Sequence, residues 1–461
     1  MNPTAELVIP EIEELVHERR LAELRHALED FDAADVASIL QALEPADAAV
    51  AFRILPRDEA AEAFAYLDAE DQELIIGKLS ADAAVRVVEA MDPDDRAALL
   101  DELPAEVATR LLAALGPDDR QVTQTILGYP PESVGRLMTP NYVTVRPEWT
   151  VLRALEQVRL YGRDAETVAW VFVVDEQKRL IDDIHISKLL LAEPRTTISA
   201  LMDEHPLSLQ ATDDREEAVR VMNRYDRTAL PVLDRRGTLL GIVTSDDVAD
   251  VAEIEATEDI QRLAGMGALE ESYTSTGLGA MLLKRGPWLA ALFVGQSLTV
   301  LILSSFTERL EKVIALTLFI PLIISCGGNS GTQTAALLVR ALALEEVEPK
   351  DWWIVLRREI VAGAALGLGL AAVGVIAMAA WWATGVLSGE HLGRIILAVC
   401  IAIVSVVAWG AVLGSCLPLL LRRLGLDPAA SSSPLVATLM DASGMLVYFG
   451  VAIAILGDAL R

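Results

Sequence analysis

The strongest constraint on the fold is a series of apolar stretches in the second half of the chain, each long enough to cross a lipid bilayer. They lie near residues 287–305, 313–338, 354–386, 393–421 and 432–457. A helix of about 20 apolar residues spans the hydrocarbon core, and helices satisfy their own backbone hydrogen bonds there. The sequence therefore predicts an all-α polytopic membrane domain with five spans over residues 285–461.

The charge is concentrated ahead of these stretches. Residues 1–286 carry 56 Asp and Glu against 28 Lys and Arg, whereas residues 287–461 carry 11 against 10. Such an acidic front lacks the basic surface that nucleic-acid binding requires, so we expect no nucleic-acid partner. Carboxylates bind hard divalent cations, but acidity also keeps a domain soluble. Composition alone leaves both interpretations open.

The orientation follows from the basic residues that flank the spans. The first thirty residues are charged and contain no apolar run of the signal-peptide kind. Basic residues such as Arg357, Arg358, Arg422 and Arg423 fall on the side predicted to share the N-terminus, and cytoplasmic loops are enriched in Lys and Arg. We expect a multi-pass protein of the cell membrane with a cytoplasmic N-terminus.

A twelve-residue repeat organises the N-terminal part of the chain. Each apolar repeat position is followed by Asp, Ser or Pro, which favour helix starts. We therefore expect residues 1–130 to form an acidic domain of short helices stacked into a superhelix. The repeat positions are Phe31, Leu43, Leu55, Leu67, Leu79, Met91, Leu103, Leu115 and Leu127.

Residues 131–250 contain two copies of a β-α-β-β-α pattern, and Leu137-Met138 in the first is echoed by Leu201-Met202 in the second. This tandem α/β repeat resembles a pair of CBS domains, which act as sensors of adenine nucleotides or ions. In the second copy, Thr244 and Asp247 match the family's ribose-binding positions. The resemblance implies one adenosine site per chain. The alternative is that Thr244 caps the helix that follows.

Residues 246–271 form a strongly acidic run that includes Glu270 and Glu271. Such a run is usually a solvated helix face. The run lies directly between the α/β pair and the membrane domain. We therefore also consider that it belongs to a charge-gated connector, which we expect to be a helix over residues 251–284.

Polar residues within the predicted spans are the best indicators of function, because each is costly in hydrocarbon unless water or a partner faces it. Asp441 lies within the last span, with Ala437, Thr438 and Gly444 at helical spacing. We expect it to face a water-filled path; a structural ion pair with Arg422 or Arg423 is the alternative.

The second predicted span contains a run of glycine and polar residues around Gly328 and Asn329. This run is compatible with tight helix packing through small residues. It is equally compatible with backbone carbonyls that line a conduit.

These segments together resemble the MgtE family of magnesium channels. Pro321-Leu322-Ile323 followed by residues 327–333 is similar to its second-span signature, and Asp427-Pro428-Ala429 with Pro434 and Asp441 is similar to its last loop and span. Residues 255–260 ahead of Leu263-Ala264-Gly265 resemble its connecting plug helix. The resemblance covers nearly the whole chain.

The resemblance implies a homodimeric pore that carries Mg²⁺ and is closed by cytosolic Mg²⁺, with ATP as a further ligand at Thr244 and Asp247. The implied pore residues are Asp441, Asn329, Gly328, Ala437 and Thr438. The implied regulatory metal ligands are Asp247, Asp250, Glu255, Glu258, Asp259, Asp92, Asp95 and Asp427.

Two other functions remain open at this point. The same architecture could carry Mn²⁺, Co²⁺ or another divalent cation, because an oxygen-rich lining disfavours soft metals without separating Mg²⁺ from Mn²⁺. The chain could instead be a membrane-anchored nucleotide sensor that conducts nothing. We do not expect an enzyme, because the predicted spans contain no His and the sequence shows no nucleophile–base arrangement.

Overall fold

The computed structural model describes residues 3–203, 205–269, 273, 276–312, 314–344, 346–384 and 392–457. Within it the chain divides into two compact units, Met1–Glu253 and Ile254–Arg461, and each has apolar core residues of its own. Glu270 and Glu271 of the predicted connector run lie outside the described residues.

The first unit begins with ten short helices. From α3 onward each helix starts twelve residues after the previous one, as the repeat predicts. The alternation has a local cause, since Pro occupies the first turn of α4, α8 and α10, and the Ser80 hydroxyl accepts a hydrogen bond from the Ala83 N–H at 3.3 Å. The helices are α1 Pro3–His17, α2 Leu21–Leu28, α3 Ala33–Ala42, α4 Pro45–Ile54, α5 Arg57–Ala65, α6 Ala69–Lys78, α7 Ala81–Ala90, α8 Pro93–Glu102, α9 Ala105–Ala114 and α10 Pro117–Leu127.

The packing of these helices explains the twelve-residue period. Helices two apart in sequence contact each other, as α3 does α5 and α5 does α7. The repeat positions Leu43, Leu67 and Leu103 lie one or two residues after the ends of their helices and are buried in one continuous core with Phe52 and Phe64. The residue that recurs every twelve positions is therefore the one that enters the apolar core where each helix ends. The superhelical course of the array stays a prediction.

Two α/β modules follow, and their element order agrees with the predicted pattern. In each module the first and second strands pair in parallel and the second and third strands pair antiparallel. The first comprises β1 Thr144–Val145, α11 Val151–Tyr161, β2 Trp170–Val174, β3 Leu180–His185 and α12 Ile186–Leu191. The second comprises β4 Leu209–Gln210, α13 Arg215–Tyr225, β5 Ala229–Leu233, β6 Leu239–Thr244 and α14 Ser245–Leu263.

The segment that opens each copy packs into the other copy. Met138 belongs to the apolar core of the second module, whereas Ile198 and Leu201 belong to that of the first. The exchange is fixed by backbone hydrogen bonds between Thr139 and Ile242, with N···O distances of 2.8 and 2.9 Å. The two modules therefore form one structural pair, which the sequence repeat alone does not indicate.

The described residues of the second unit form five long helices: α15 Leu278–Lys312, α16 Ile320–Ala343, α17 Trp352–Ala383, α18 Leu392–Arg423 and α19 Ser433–Leu456. Four segments of the described chain are long and apolar enough to cross a membrane, namely Leu278–Thr307, Pro349–Ala383, Leu392–Arg423 and Ser433–Leu456. The helix α16 is 24 residues long, but its glycine and polar run makes it less apolar than these four. Pro321 lies in the first turn of α16, so it starts this helix rather than breaking it.

Glycine contacts hold α16 against α18. A Cβ on Gly410 would lie 2.3 Å from the carbonyl oxygen of Gly327, and one on Gly414 would lie 2.2 Å from that of Gly331. Two glycine pairs, each four residues apart, thus bring the helix backbones into contact. The packing interpretation of the glycine run is therefore correct for this side of α16. Gly328 has no heavy atom within 4 Å of where its Cβ would stand, and Asn329 is exposed.

We predict that Gly414→Ala lowers the thermal stability of the detergent-solubilised protein, because the added methyl meets a backbone carbonyl that cannot rotate away. Overpacking of this kind costs about 1–3 kcal/mol. The measurement is the midpoint for heat-induced loss of monodisperse protein. Gly369→Ala is the matched control, since a Cβ there meets nothing within 4 Å. Equal midpoints for the two variants would contradict the packing account.

Candidate functional site

Asp441 lies in the third turn of α19 and is partly exposed. The helix starts there because Ser432 accepts a hydrogen bond from the Leu435 N–H at 3.3 Å and Pro434 occupies the first turn. The Gln296 side-chain amide on α15 donates to Asp441 Oδ2 at 2.6 Å. In the described part of the chain the carboxylate is thus bonded to a neutral amide, and no ion pair with Arg422 or Arg423 is formed. Sequence reasoning missed Gln296, although a polar residue in a span was a usable signal.

The helix α19 has two different faces around Asp441. Val436 and Met440 are buried and face α16, where a Cβ on Gly331 would lie 3.0 Å from Val436 Cγ1. Ala437, Thr438 and Asp441 are partly exposed on another side. These three predicted pore residues therefore form one stripe that the described bundle does not cover completely.

Asn329 and Gly328 lie on the side of α16 that is not packed against α18. The Thr332 hydroxyl donates to the backbone carbonyl oxygen of Asn329 at 3.1 Å, while the Asn329 side chain is exposed. No hydrogen bond joins the described side chains of Asn329 and Asp441. The five predicted pore residues thus fall into one stripe on α19 and one exposed turn on α16.

A second group of carboxylates lies entirely within the first unit, and we call it the N-terminal acidic cluster. It brings together the first turn of α8, the loop before β2 and the first turns of α14. Its members are Asp92, Asp94, Asp95, Glu166, Asp246, Asp247 and Asp250. The sequence-predicted residues Asp92, Asp95, Asp247 and Asp250 are therefore neighbours in space.

Burial and mutual repulsion raise the pKa values of several carboxylates in this cluster. Burial, and then the neighbouring acids, raise the pKa of Asp95 to about 6 and that of Glu166 to about 7. The pKa of Asp94 is raised well above its usual value, mainly by burial and then by Asp247. Asp94 is 7% exposed, and its Oδ1 atom has no hydrogen-bond partner. Burial and repulsion therefore disfavour the charged form of several of these carboxylates, and Arg96 offsets part of this effect at Asp92.

Asp247 has a local partner as well. The Thr244 hydroxyl donates to Asp247 Oδ2 at 2.6 Å, and the Thr244 N–H points to the same oxygen at 3.4 Å. Asp247 thus reaches back to Thr244 at the start of α14, as the third helical residue does in a capping box, and the N-cap role of the Thr244 hydroxyl stays a prediction. The pKa of Asp247 is nevertheless raised to about 7, because burial and the acids Asp246 and Asp95 outweigh the Thr244 hydrogen bonds.

The connector acids form a third group, within the second unit. Arg262 lies 2.8 Å from Glu258 and 2.7 Å from Asp427, so two predicted regulatory carboxylates are ion-paired. The pKa of Asp259 is raised, first by burial and then by Asp427. Glu255 adds further negative charge to this group. We call Glu255, Glu258, Asp259 and Asp427 the connector acids.

None of these groups forms a closed cage for a bare ion. Among the described residues, no three His, Cys, Asp or Glu side chains are arranged to hold a metal ion. Mg²⁺ keeps several of its waters in proteins and binds through one or two carboxylates. The chemistry available to these carboxylates is thus attraction of a hydrated cation.

Three members of the N-terminal acidic cluster were not chosen from the sequence, namely Asp94, Glu166 and Asp246. Asp94 adjoins Asp95 in the Asp-Pro-Asp-Asp helix start, so the sequence motif does not separate the two residues. Its burial in the structure identifies Asp94 as a member of the cluster. Glu166 belongs to no motif and joins the cluster only through the fold.

Comparison with protein families matches the N-terminal helices, the α/β pair and most of the membrane part of the chain. Residues 320–451 match the MgtE family model, described as a divalent cation transporter. Residues 31–132 match the MgtE intracellular N domain. Residues 134–194 and 198–253 each match the CBS domain, which confirms the predicted α/β pair.

The curated relatives and solved structures agree with these matches. The magnesium transporter MgtE of Thermus thermophilus is 40% identical over 329 residues, which are 71% of this chain and 71% of the relative. That of Bacillus subtilis is 33% identical over 338 residues, or 72% of each chain. The crystal structure of the cytosolic domain of the Mg²⁺ channel MgtE in complex with ATP covers 53% of this chain and 99% of its own, with 33% identity and a TM-score of 0.51. Taken with the polytopic fold, these similarities show that the chain belongs to the MgtE family of divalent cation transporters rather than to a family of enzymes.

Proposed function

We propose that this protein is a Mg²⁺ channel or transporter of the cell membrane in which Asp441 is the principal ion-binding residue. The observation that carries the proposal is a partly exposed carboxylate inside a membrane-crossing helix, held by an amide from another such helix. An ionisable group at this depth is costly unless water or a partner faces it, and such groups commonly mark ion pathways. We take the identity of the ion, Mg²⁺, from the relatives that are named magnesium transporters.

The chemistry of Mg²⁺ suits this arrangement. Mg²⁺ loses water reluctantly and prefers six oxygen ligands, so a carboxylate can hold it through its water shell. Conduction needs binding that is weak enough to release the ion. One carboxylate beside Thr438 and Ala437, with Asn329 and Gly328 on the exposed turn of α16, meets that need. In a homodimer, which we propose by family resemblance, two copies of Asp441 would share the ion.

Five spans with a cytoplasmic N-terminus are part of the proposal. Gly295 approaches Thr438, and the Phe306 ring stacks on Phe449 at 4.4 Å. Both pairs differ by 143 residues (438 − 295 and 449 − 306), so α15 and α19 run parallel. Parallel first and last spans require an odd number of crossings, which four spans do not provide. The helix α16, second in chain order, would then also cross the membrane despite its polar run, which makes five spans in total.

We propose that cytosolic Mg²⁺ closes the pore by binding the N-terminal acidic cluster and the connector acids. Repulsion among these carboxylates opposes close packing when the Mg²⁺ concentration is low. Bound cations would relieve that repulsion and favour a closed arrangement of the connector, which the sequence resemblance describes as a plug. Such feedback is a coupling free energy between the pore and the cytosolic sites.

ATP is a proposed regulator at Thr244 and Asp247. Asp247 can accept hydrogen bonds from ribose hydroxyls, and the related cytosolic domain binds ATP. The adenosine part therefore fits. The carboxylates of Asp95, Asp246 and Glu166 lie near Asp247, so we expect the triphosphate to bind only with a divalent cation. Family membership disfavours a sensor that conducts nothing, whereas Mn²⁺ or Co²⁺ transport remains the alternative to Mg²⁺.

We predict that Asp441→Asn abolishes Mg²⁺ flux into proteoliposomes, because the neutral amide removes the charge that attracts the cation. The oligomeric state by size-exclusion chromatography should stay unchanged. Gly450→Ala, a neutral change on the same helix at a position where a Cβ meets nothing within 4 Å, serves as the control and should conduct like the wild type. Flux through Asp441→Asn at the wild-type rate would refute the assignment.

The gate predicts a charge-specific effect in the cytosolic unit. Asp95→Asn with Asp247→Asn should leave flux high at Mg²⁺ concentrations that close the wild type, because the oxygens that bind the closing ions lose their charge. Asp30→Asn with Asp58→Asn is the matched control, since it makes the same charge change at exposed positions. Normal closure of the Asp95 and Asp247 double variant would rule out this gate.

Nucleotide binding has its own test by calorimetry on the full chain. Asp247→Asn should weaken Mg²⁺–ATP binding about tenfold, as expected for a lost hydrogen bond to a charged group. Lys188→Ala in the first module should leave it unchanged. ATP that binds equally well to the wild type and Asp247→Asn would exclude this site.

A further inference from the structure

Gln296 is a polar residue inside the first span, and its role follows from its position. It lies within the segment Leu278–Thr307 and is exposed in the single chain. A side-chain amide at membrane depth is unfavourable unless it is hydrogen-bonded or reached by water. Its Nε2 donates to Asp441 Oδ2 at 2.6 Å. The span therefore places its amide at the carboxylate proposed to bind the transported ion.

Contacts on either side of Gln296 fix the register of α15 against α19. A Cβ on Gly295 would lie 3.2 Å from Thr438 Cγ2, so the helices approach closely one residue before the amide. Further along the two helices, the Phe306 and Phe449 rings stack with their planes 26° apart. A shift of one helix along the other would break both contacts, so the Gln296–Asp441 hydrogen bond belongs to the packing of the pair.

The hydrogen bond leaves useful chemistry at the site. A glutamine carries two N–H donors and one carbonyl acceptor, and a donor is already used by Asp441 Oδ2. The oxygen of the same amide group is therefore held close to the Asp441 carboxylate, separated from the hydrogen bond only by the amide itself. The water shell of a divalent cation consists of hydrogen-bond donors, so both oxygens can accept from it. The charged oxygen attracts the cation, and the neutral one orients its water.

We propose that Gln296 is a positioning residue for the transported cation: it fixes the orientation of the Asp441 carboxylate and supplies a neutral acceptor for the hydrated ion. This inference rests on the proposed function of Asp441. It assigns to the first span a direct part in ion binding, beyond that of a packing helix.

The test measures Mg²⁺ influx into proteoliposomes over a range of Mg²⁺ concentrations. Gln296→Met keeps the side-chain length but cannot form the hydrogen bond, and it should raise the half-saturating Mg²⁺ concentration about tenfold, as is usual for a partner of a metal-binding group. Gln296→Asn keeps the amide but withdraws it by one methylene, so it should give a smaller shift in the same direction. Ser297→Ala is the control, because the Ser297 hydroxyl bonds within its own helix to the Phe293 carbonyl.

The outcomes separate this inference from the proposed function. A raised half-saturation with unchanged thermal stability supports it. Wild-type saturation in both Gln296 variants, with no flux through Asp441→Asn, overturns it and leaves the proposed function standing. A lower maximal flux with unchanged half-saturation and lower thermal stability assigns Gln296 to packing and also overturns it. Flux through Asp441→Asn at the wild-type rate overturns both.

Discussion

The backbone contact between α16 and α18 is the constraint on which the membrane unit depends. Gly327 and Gly331 face Gly410 and Gly414 so closely that no side chain fits between the two helices. This contact uses one side of the glycine run and thereby leaves Gly328 and Asn329 on the other. The same helix α16 also packs against Val436 and Met440 of α19, so the polar stripe with Asp441 falls outside that contact. Packing between small residues thus decides which polar groups remain accessible.

In the first unit, Met1–Glu253, charge is the dominant constraint. Seven carboxylates of the N-terminal acidic cluster lie near one another, and burial raises several of their pKa values towards neutrality. An arrangement of this kind is unfavourable without counter-ions. Asp94 is buried, and one of its carboxylate oxygens has no hydrogen-bond partner. The protein alone therefore compensates only partly for the burial of these carboxylates. Two of the connector acids already have Arg262 as a counter-ion, so Mg²⁺ binding there would exchange one cation for another.

The sequence predicts well what depends on local periodicity and poorly what depends on tertiary contacts. Helix starts every twelve residues follow from Asp, Ser and Pro positions, and the strand order of the α/β pair follows from alternating patterns. The exchange of Met138 and Leu201 between modules does not, because a repeat in sequence does not say where its first segment packs. Asp441 was identifiable as a carboxylate in an apolar span. Glu166 was not, since only the fold brings it to the other acids. Gln296 is recognisable as a polar residue in a span, but only the fold shows that it bonds to Asp441.

The most direct test of the whole account is Mg²⁺ flux into liposomes that contain the purified wild-type protein, at low and high Mg²⁺ on the cytosolic face. The account predicts rapid flux at low Mg²⁺ and suppressed flux at high Mg²⁺, because the same ion passes Asp441 and neutralises the acidic cluster. Folded, dimeric protein with no flux at any Mg²⁺ concentration would contradict it and favour a membrane-anchored sensor.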